Sequence, residues 1–356
     1  MNQPKNPLSR SERFRGLLIG TAVGDSLGLP GEGLSRRRIA NLWRGHFRQR
    51  FLFGRGMVSD DTEHAIFVGQ ALLVSPRDAD KFTRALAWKL RLWLLGAPAG
   101  IGLATLRSII RLWLGVPAQR SGVKSAGNGA AMRAPLLGLF FAGDEVSLKR
   151  FVEASSRMTH TDPRALAGAL AVAFAARQTA MDFEEPSAFV ADLEPLTDDA
   201  TWRDAIRNLR AALVANESVA EFAARLGRTH SVTGYVCHSV PVALFAWLRH
   251  RHDFRATVTE CIACGGDADT TAAIAGALAG ADAGVEGIPA EWRTRICEWP
   301  RSVSVLEDLG SRLSQAVESG NQQPAVRYFW PGLIARNALF FITVLFHGFR
   351  RLLPPF

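Results

Sequence analysis

Lysine is nearly absent from this chain: Lys5, Lys81, Lys89, Lys124 and Lys149 are the full set in 356 residues. The positive charge comes from arginine, which brings the formal net charge to +9 and the pI to about 10.1. These arginines are scattered along helical stretches such as Arg84 to Arg91 and Arg203 to Arg210, with no single basic run. The pattern reads as solvated helix faces rather than a dedicated nucleic-acid surface, and it is compatible with an anionic substrate carrying a diphosphate. Cysteine is scarce too. Four residues exclude a disulfide framework, and the C-x-x-C of Cys261 and Cys264 has no second pair to complete a zinc site. These two read as small buried thiols in a helix, consistent with a reducing, cytoplasmic setting. The stretch from Met1 to Arg10 is polar and lacks the apolar core of a signal peptide. Convincing alternating runs of β-branched residues are also scarce, which leaves the body to helices.

The chain is 48% hydrophobic and 21% charged, enough apolar mass for a large core and too much for disorder across the body. Helical signals dominate. Ser9-x-x-Glu12 reads as a capping box ahead of Phe14, Leu17, Leu18, Thr21 and Ala22 at helical spacing. Asp162-Pro163 opens an Ala-rich helix from Arg164 to about Arg177, and another helix follows Pro241, from Val242 to Arg249. A further helix runs from Asp269 to about Ala281, where Ala275, Gly276, Ala279 and Gly280 permit close packing. The expected fold is all-α: a single large helical domain over residues 11–318, with functional loops between helices. Residues 319–356 form a polar linker, Ser319 to Pro324, and a strongly apolar tail flanked by Arg336, Arg350 and Arg351. Its longest uncharged stretch, Asn337 to Phe349, is shorter than the roughly 20 apolar residues of a spanning helix. The tail reads as a helix packed on the domain, an oligomer contact, or a peripheral membrane anchor.

Five short stretches carry chemistry. Ser59-Asp60-Asp61-Thr62 lies between a glycine-containing loop and an apolar-periodic helix. By itself it reads as a helix cap, because Ser and Asp satisfy the free N–H groups and favour the dipole. Gly265-Gly266-Asp267-Ala268-Asp269-Thr270 repeats the same chemistry at the start of another helix. If the two helix N-termini converge, their four carboxylates need a counterion. All-oxygen donors from Asp, Ser and Thr call for hard cations, Mg²⁺ first and Mn²⁺ or Ca²⁺ after it, and four carboxylates suit two ions better than one. Asp25, within Gly20 to Gly28, reads equally as a structural carboxylate or a site residue, and Glu32 projects from the loop beyond Pro30 and Gly31. Ser125-Ala126-Gly127-Asn128-Gly129 offers backbone N–H groups to a phosphate, and His160 sits just ahead of the Asp162-Pro163 helix start.

In order, G-x-x-x-G-D-x-L-G with a Glu seven residues after its Asp, S-D-D-T, G-N-G-x-A-M-R, T-H-x-D-P and G-G-D-A-D-T resemble the ADP-ribosylglycohydrolase family. The likeness spans about residues 14 to 295, including Gly284, Ile288-Pro289 and Trp292. It implies a dinuclear Mg²⁺ cleft in an all-α domain. Ser59, Asp60 and Asp61 match one ligand group, and Asp267, Asp269 and Thr270 match the other. Ser59 replaces the Thr of many relatives and keeps the hydroxyl. Glu32 matches a loop Glu placed near the anomeric carbon in some relatives, while others rely on a metal-site Asp such as Asp61. Ser125, Gly127, Asn128 and Gly129 match the diphosphate and ribose loop. His160 matches a residue of the ADP-ribose pocket, and Ala126 stands where some relatives have an aromatic. The implied activity is hydrolysis of the bond between ADP-ribose and an ADP-ribosylated acceptor; the loop around Arg111 to Gly122 and the Gly234-Tyr235 region are candidates for the acceptor side, with packing the favoured role for Tyr235. The alternatives are an inactive ADP-ribose-binding module of the same fold, or a basic membrane- or nucleic-acid-associated scaffold.

Overall fold

A computed structural model describes residues 8–181 and 185–352. The first seven residues of the polar N-terminal stretch and the Pro354-Pro355 end of the tail lie outside the described residues. Among those described there are seventeen α-helices, and strand pairing is limited to isolated bridges. The first nine are α1 (Arg10–Gly28), α2 (Arg36–Trp43), α3 (Asp60–Val74), α4 (Ala79–Leu95), α5 (Leu103–Trp113), α6 (Pro135–Phe140), α7 (Glu145–Arg157), α8 (Pro163–Gln178) and α9 (Pro186–Leu193). The rest are α10 (Ala200–Val214), α11 (Val219–Arg225), α12 (Val236–Arg249), α13 (Phe254–Ala263), α14 (Ala268–Ala283), α15 (Ala290–Arg293), α16 (Val303–Ser319) and α17 (Gly332–Arg350).

The Ser9–Glu12 capping box starts α1 as expected, with Ser9 Oγ accepting from the Glu12 N–H and Glu12 accepting from the Ser9 N–H. Helix α1 then runs antiparallel to α14 at the centre of the molecule, and both are buried along nearly their whole lengths. Small residues make this possible. A Cβ at Gly16, Gly20, Gly24 or Gly28 would collide with the carbonyl of Gly280, Gly276, Ala272 or Ala268 respectively. The backbones are therefore in direct contact over four turns, and the C-terminal end of α1 is brought against the N-terminal end of α14. Cys261 and Cys264, at the end of α13, are buried, and burial pushes the Cys264 thiol up to about 11.

Two sequence expectations shift. Helix α12 begins at Val236, a turn before Pro241, because the Val236 N–H is taken by Ala126 O at 2.9 Å and the chain is already helical when the proline is reached. The tail forms one 19-residue helix, α17, which length and composition make long enough to cross a membrane. The uncharged run understated it because Arg336 is inside the helix and turned inward, 6% exposed. The linker is pinned to the body by Gln70, which donates to Val326 O at 2.8 Å and accepts from Val326 N at 3.1 Å.

Candidate active site

Both acidic motifs open helices, and the α1–α14 seam aims them at one cleft. Ser59 caps α3, its Oγ accepting from the Asp61 N–H at 3.3 Å; Asp267 is the residue before α14. They meet directly: Thr270 Oγ1 donates to Asp61 Oδ2 at 3.2 Å and Ser59 Oγ donates to the same oxygen at 3.1 Å. Asp25, from the end of α1, is fully buried and accepts from the Ser59 N–H at 2.9 Å, the Thr62 N–H at 3.2 Å and Thr62 Oγ1 at 2.6 Å. It is the carboxylate that holds the start of α3 in place.

The cleft has a volume of about 650 Å³ and takes its walls from Glu32, Ser59, Asp60, Ser125, Gly127, Asn128, Gly129, His160, Asp267, Asp269 and Thr270. Asp61 is 0% exposed and lies beneath this surface rather than on it. On the acidic side, burial raises every carboxyl. Asp60, Asp61 and Asp269 stand well above their ordinary range, first through desolvation and then through their acidic neighbours. Asp25 is pushed up to about 6, also by burial, against the pull of its Thr62 and Ser59 hydrogen bonds. Glu32, at the solvent-reached mouth, is raised by the cleft walls and by Asp267 and partly restrained by Arg351.

Whether this site suits cations can be judged from its unsatisfied atoms. Asp61 Oδ1 and Asp269 Oδ1 are buried without a hydrogen-bond partner, an arrangement that costs several kcal/mol for a charged oxygen unless a cation faces it. Among the described residues no three Asp, Glu, His or Cys side chains are drawn together into a closed set around one point. The hydroxyls of Ser59 and Thr270 both meet Asp61 Oδ2, which joins the two motifs on the acidic side of the cleft. Chemically the set is all oxygen, which fits a hard divalent ion.

The opposite wall is neutral and rigid. Asn128 Nδ2 donates to Asp267 Oδ2 at 2.5 Å and to Ser239 Oγ at 3.1 Å, so the glycine loop is tied to the acidic wall. Gly127 and Gly129 pass so close to the His160 ring that a Cβ at Gly129 would lie 2.9 Å from its Cε1. Arg133, 0% exposed, donates to Gly129 O at 3.0 Å, Ser155 O at 2.7 Å and Thr159 Oγ1 at 2.7 Å. Thr159 Oγ1 also lies 2.8 Å from His160 Nδ1, which ties the ring to the Arg133 network. Burial and the Arg133 charge hold His160 down at about 3, so the ring is neutral throughout the physiological range.

Sequence reasoning missed Arg133, although it closes the G-N-G-x-A-M-R motif. No residue from Arg111 to Gly122 borders the cleft, whereas Ala99, Gly100, Gly102 to Thr105 and, from α17, Phe340 and Val344 do. Gly234 lines the cleft, but Tyr235 turns away and accepts from Arg164 Nη1 at 3.0 Å.

A sequence model described as ADP-ribosylglycohydrolase matches residues 6–323. The chain belongs to the ADP-ribosylglycohydrolase family. Among its relatives, an uncharacterized protein of Archaeoglobus fulgidus is 33% identical over 316 residues, covering 85% of this chain and 96% of that protein. The ADP-ribosyl-[dinitrogen reductase] glycohydrolase of Rhodospirillum rubrum is 27% identical over 293 residues, covering 80% and 90%. A solved structure titled "ADP-ribosylglycohydrolase-related protein complex" superposes with a TM-score of 0.63 at 25% identity, covering 86% of this chain and 99% of that one. The all-α fold is thus the family's. The family match ends at residue 323, so α17 lies beyond it.

Proposed function

We propose that this member of the ADP-ribosylglycohydrolase family is a Mg²⁺-dependent hydrolase that cleaves the glycosidic bond between ADP-ribose and an acceptor, reversing ADP-ribosylation in the cytoplasm. The observation that carries the reading is the division of the cleft: buried carboxylates with unpaired oxygens on one wall, a glycine loop with a neutral histidine on the other, about 650 Å³ between them. That volume lies within the range of small-molecule sites. Ser59, Asp60, Asp61, Asp267, Asp269 and Thr270 would hold two Mg²⁺, or Mn²⁺ in their place. When bound, such ions neutralise the carboxylates and polarise sugar oxygens.

The remaining work falls to the chain. Gly127, Gly129 and Ser125 receive the diphosphate end, and the neutral His160 ring lines the same part of the cleft without a charge of its own. Asn128 keeps Asp267 oriented through its amide. Glu32, raised by its surroundings, is suited to move a proton at the acceptor atom that leaves the anomeric carbon. Phe340 and Val344 exclude water from the acceptor side.

The test is release of free ADP-ribose from a panel of defined linkages: arginine, serine, nucleic-acid base and O-acetyl-ADP-ribose. Turnover should require Mg²⁺, stop with EDTA, and fall about 10²- to 10⁴-fold in Glu32→Gln. Asp269→Asn should lose activity and weaken retention of the cation. Binding of ADP-ribose with no release from any linkage would assign the chain to the inactive-module reading instead.

A further inference from the structure

Helix α17 is built inside out. From Ile334 to Phe349 every exposed residue is apolar or glycine, while the inward face carries Arg336, Asn337, Thr343 and His347. The polar groups are engaged. Arg336 Nη2 donates to Glu298 Oε2 at 2.9 Å, Asn337 Nδ2 to Gly96 O at 2.7 Å, and His347 Nε2 lies 2.8 Å from Phe51 O. Outside stand Ile342, Phe346 and Phe349, 62%, 65% and 67% exposed. A water-facing helix of a soluble domain has the reverse arrangement. An apolar strip of this length marks a surface that is covered by something else.

Two neighbouring features say what covers it. The turn at Phe51–Arg55 is clamped to α17 by stacking of Phe51 on His347, with ring centroids 5.2 Å apart, and it presents Phe53, 99% exposed, at its tip. At the C-terminal end of α17, Arg44, Arg48, Arg50 and Arg350 line one hollow of about 440 Å³, and Arg38 is near enough to act on the Arg351 charge. Arginines scattered in the sequence are gathered here by the fold. An apolar helix face, a projecting phenylalanine and a basic cluster adjoining one another match an anionic lipid surface, where apolar side chains enter the acyl boundary and arginines meet headgroups. A second copy applied through the same face would bring an identical basic cluster, which a lipid surface does not. A spanning arrangement fails differently, since it would strip Arg336, Asn337 and His347 from their partners.

We propose that this protein binds anionic bilayers through the outer face of α17, Phe53 and the Arg44–Arg48–Arg350 cluster, with the helix lying in the membrane plane. The proposal stands without the reading of the cleft. Its geometry adds that Phe340 and Val344, on the inner face of the same helix, line the cleft, so a docked molecule holds that wall of the site within one helix diameter of the lipid.

The full chain is sedimented with vesicles of phosphatidylcholine alone and of phosphatidylcholine with phosphatidylglycerol. Pelleting should require phosphatidylglycerol and weaken as salt rises. Arg44→Gln and Arg48→Gln should each reduce the partition coefficient roughly fivefold. Phe346→Asp and, independently, Phe53→Asp should reduce it by at least as much, with circular dichroism and thermal unfolding unchanged because both side chains point outward. Equal pelleting with both lipids, or binding indifferent to Phe346→Asp and Phe53→Asp in folded protein, would overturn the proposal. So would a dimer in solution that Phe346→Asp splits while no vesicle binds, which would assign the face to a second copy.

Discussion

The first and last described helices join the body by opposite means. Helix α1 lies against α14 backbone to backbone, through glycines whose every added carbon would strike a carbonyl. Helix α17 is held by side chains that reach inward from a surface the body leaves uncovered. Arg336 donates to Glu298 Oε1 at 2.6 Å and to Val58 O at 2.5 Å, while the Val58 N–H donates to Glu298 Oε2 at 3.0 Å. Both fastenings end at the same place. The seam delivers Asp25 and Asp269, and the tail clamps the residue just before Ser59. The difference teaches that the acidic wall is fixed from two sides by unlike physics: a distributed steric fit and a concentrated ionic knot.

The sharpest way to break the comparison is at the knot. Arg336 and Glu298 are both nearly buried, and desolvation of such a pair is repaid only while both partners are present. Arg336→Ala leaves the Glu298 charge without a counterion, and we expect a loss of about 3–5 kcal/mol in chemical denaturation. Replacing both residues by apolar ones of similar volume, Arg336→Met with Glu298→Leu, should recover most of that stability. If the single change costs less than about 1 kcal/mol, the tail is an appendage rather than a fastening.

The seam should respond more mildly to one change because its contacts are spread over four turns. In Gly20→Ala the new carbon meets the Gly276 carbonyl, and the two helices must part locally, at about 1–3 kcal/mol. The same substitution should lower activity more than the stability loss explains, because parting α1 from α14 moves Asp25 and with it the N-terminus of α3. Measuring turnover well below the unfolding transition separates the two effects. Unchanged stability and turnover would mean that the seam tolerates a gap.

The two fastenings also differ in how readable they were. The small residues Ala275, Gly276, Ala279 and Gly280 of α14 announced close helix packing, and the acidic motifs following glycines announced helix starts that could converge. Both are local patterns that the chain's own spacing carries. The knot was not readable. Arg336 sits in an apolar run, where sequence suggests a flanking charge, and nothing near Glu298 or Val58 points to it; only the tertiary fold sets the three together. Arg133 escaped for the same reason, since its partners Ser155 and Thr159 come from around the end of α7, more than twenty residues away. The wall formed by Ala99 to Thr105 has ordinary residue types and became visible only as the lining of a cavity.

The smallest effect is expected from pH, and it sharpens the picture at the end of the seam. The site carboxyls have pKa values raised by burial, Asp25 from 3.8 to about 6 and Asp60, Asp61 and Asp269 well above their usual range. A carboxyl raised on folding contributes stability that is complete below its unfolded value and lost as pH climbs through the folded one. Without cation, these groups therefore favour the folded chain less at pH 8 than at pH 5. Buried neutral His64 and His160 oppose the trend, because the unfolded chain takes up their protons below about pH 6.5. They do so equally with and without cation, so the difference between the two conditions isolates the carboxyls. Thermal unfolding in Mg²⁺ and in EDTA should diverge most at pH 8 and approach each other as pH falls, as protons take the place proposed for the ions on carboxyls raised by burial. A gap that stays constant, or widens toward acid, would place the cation away from the carboxylates at the end of the α1–α14 seam.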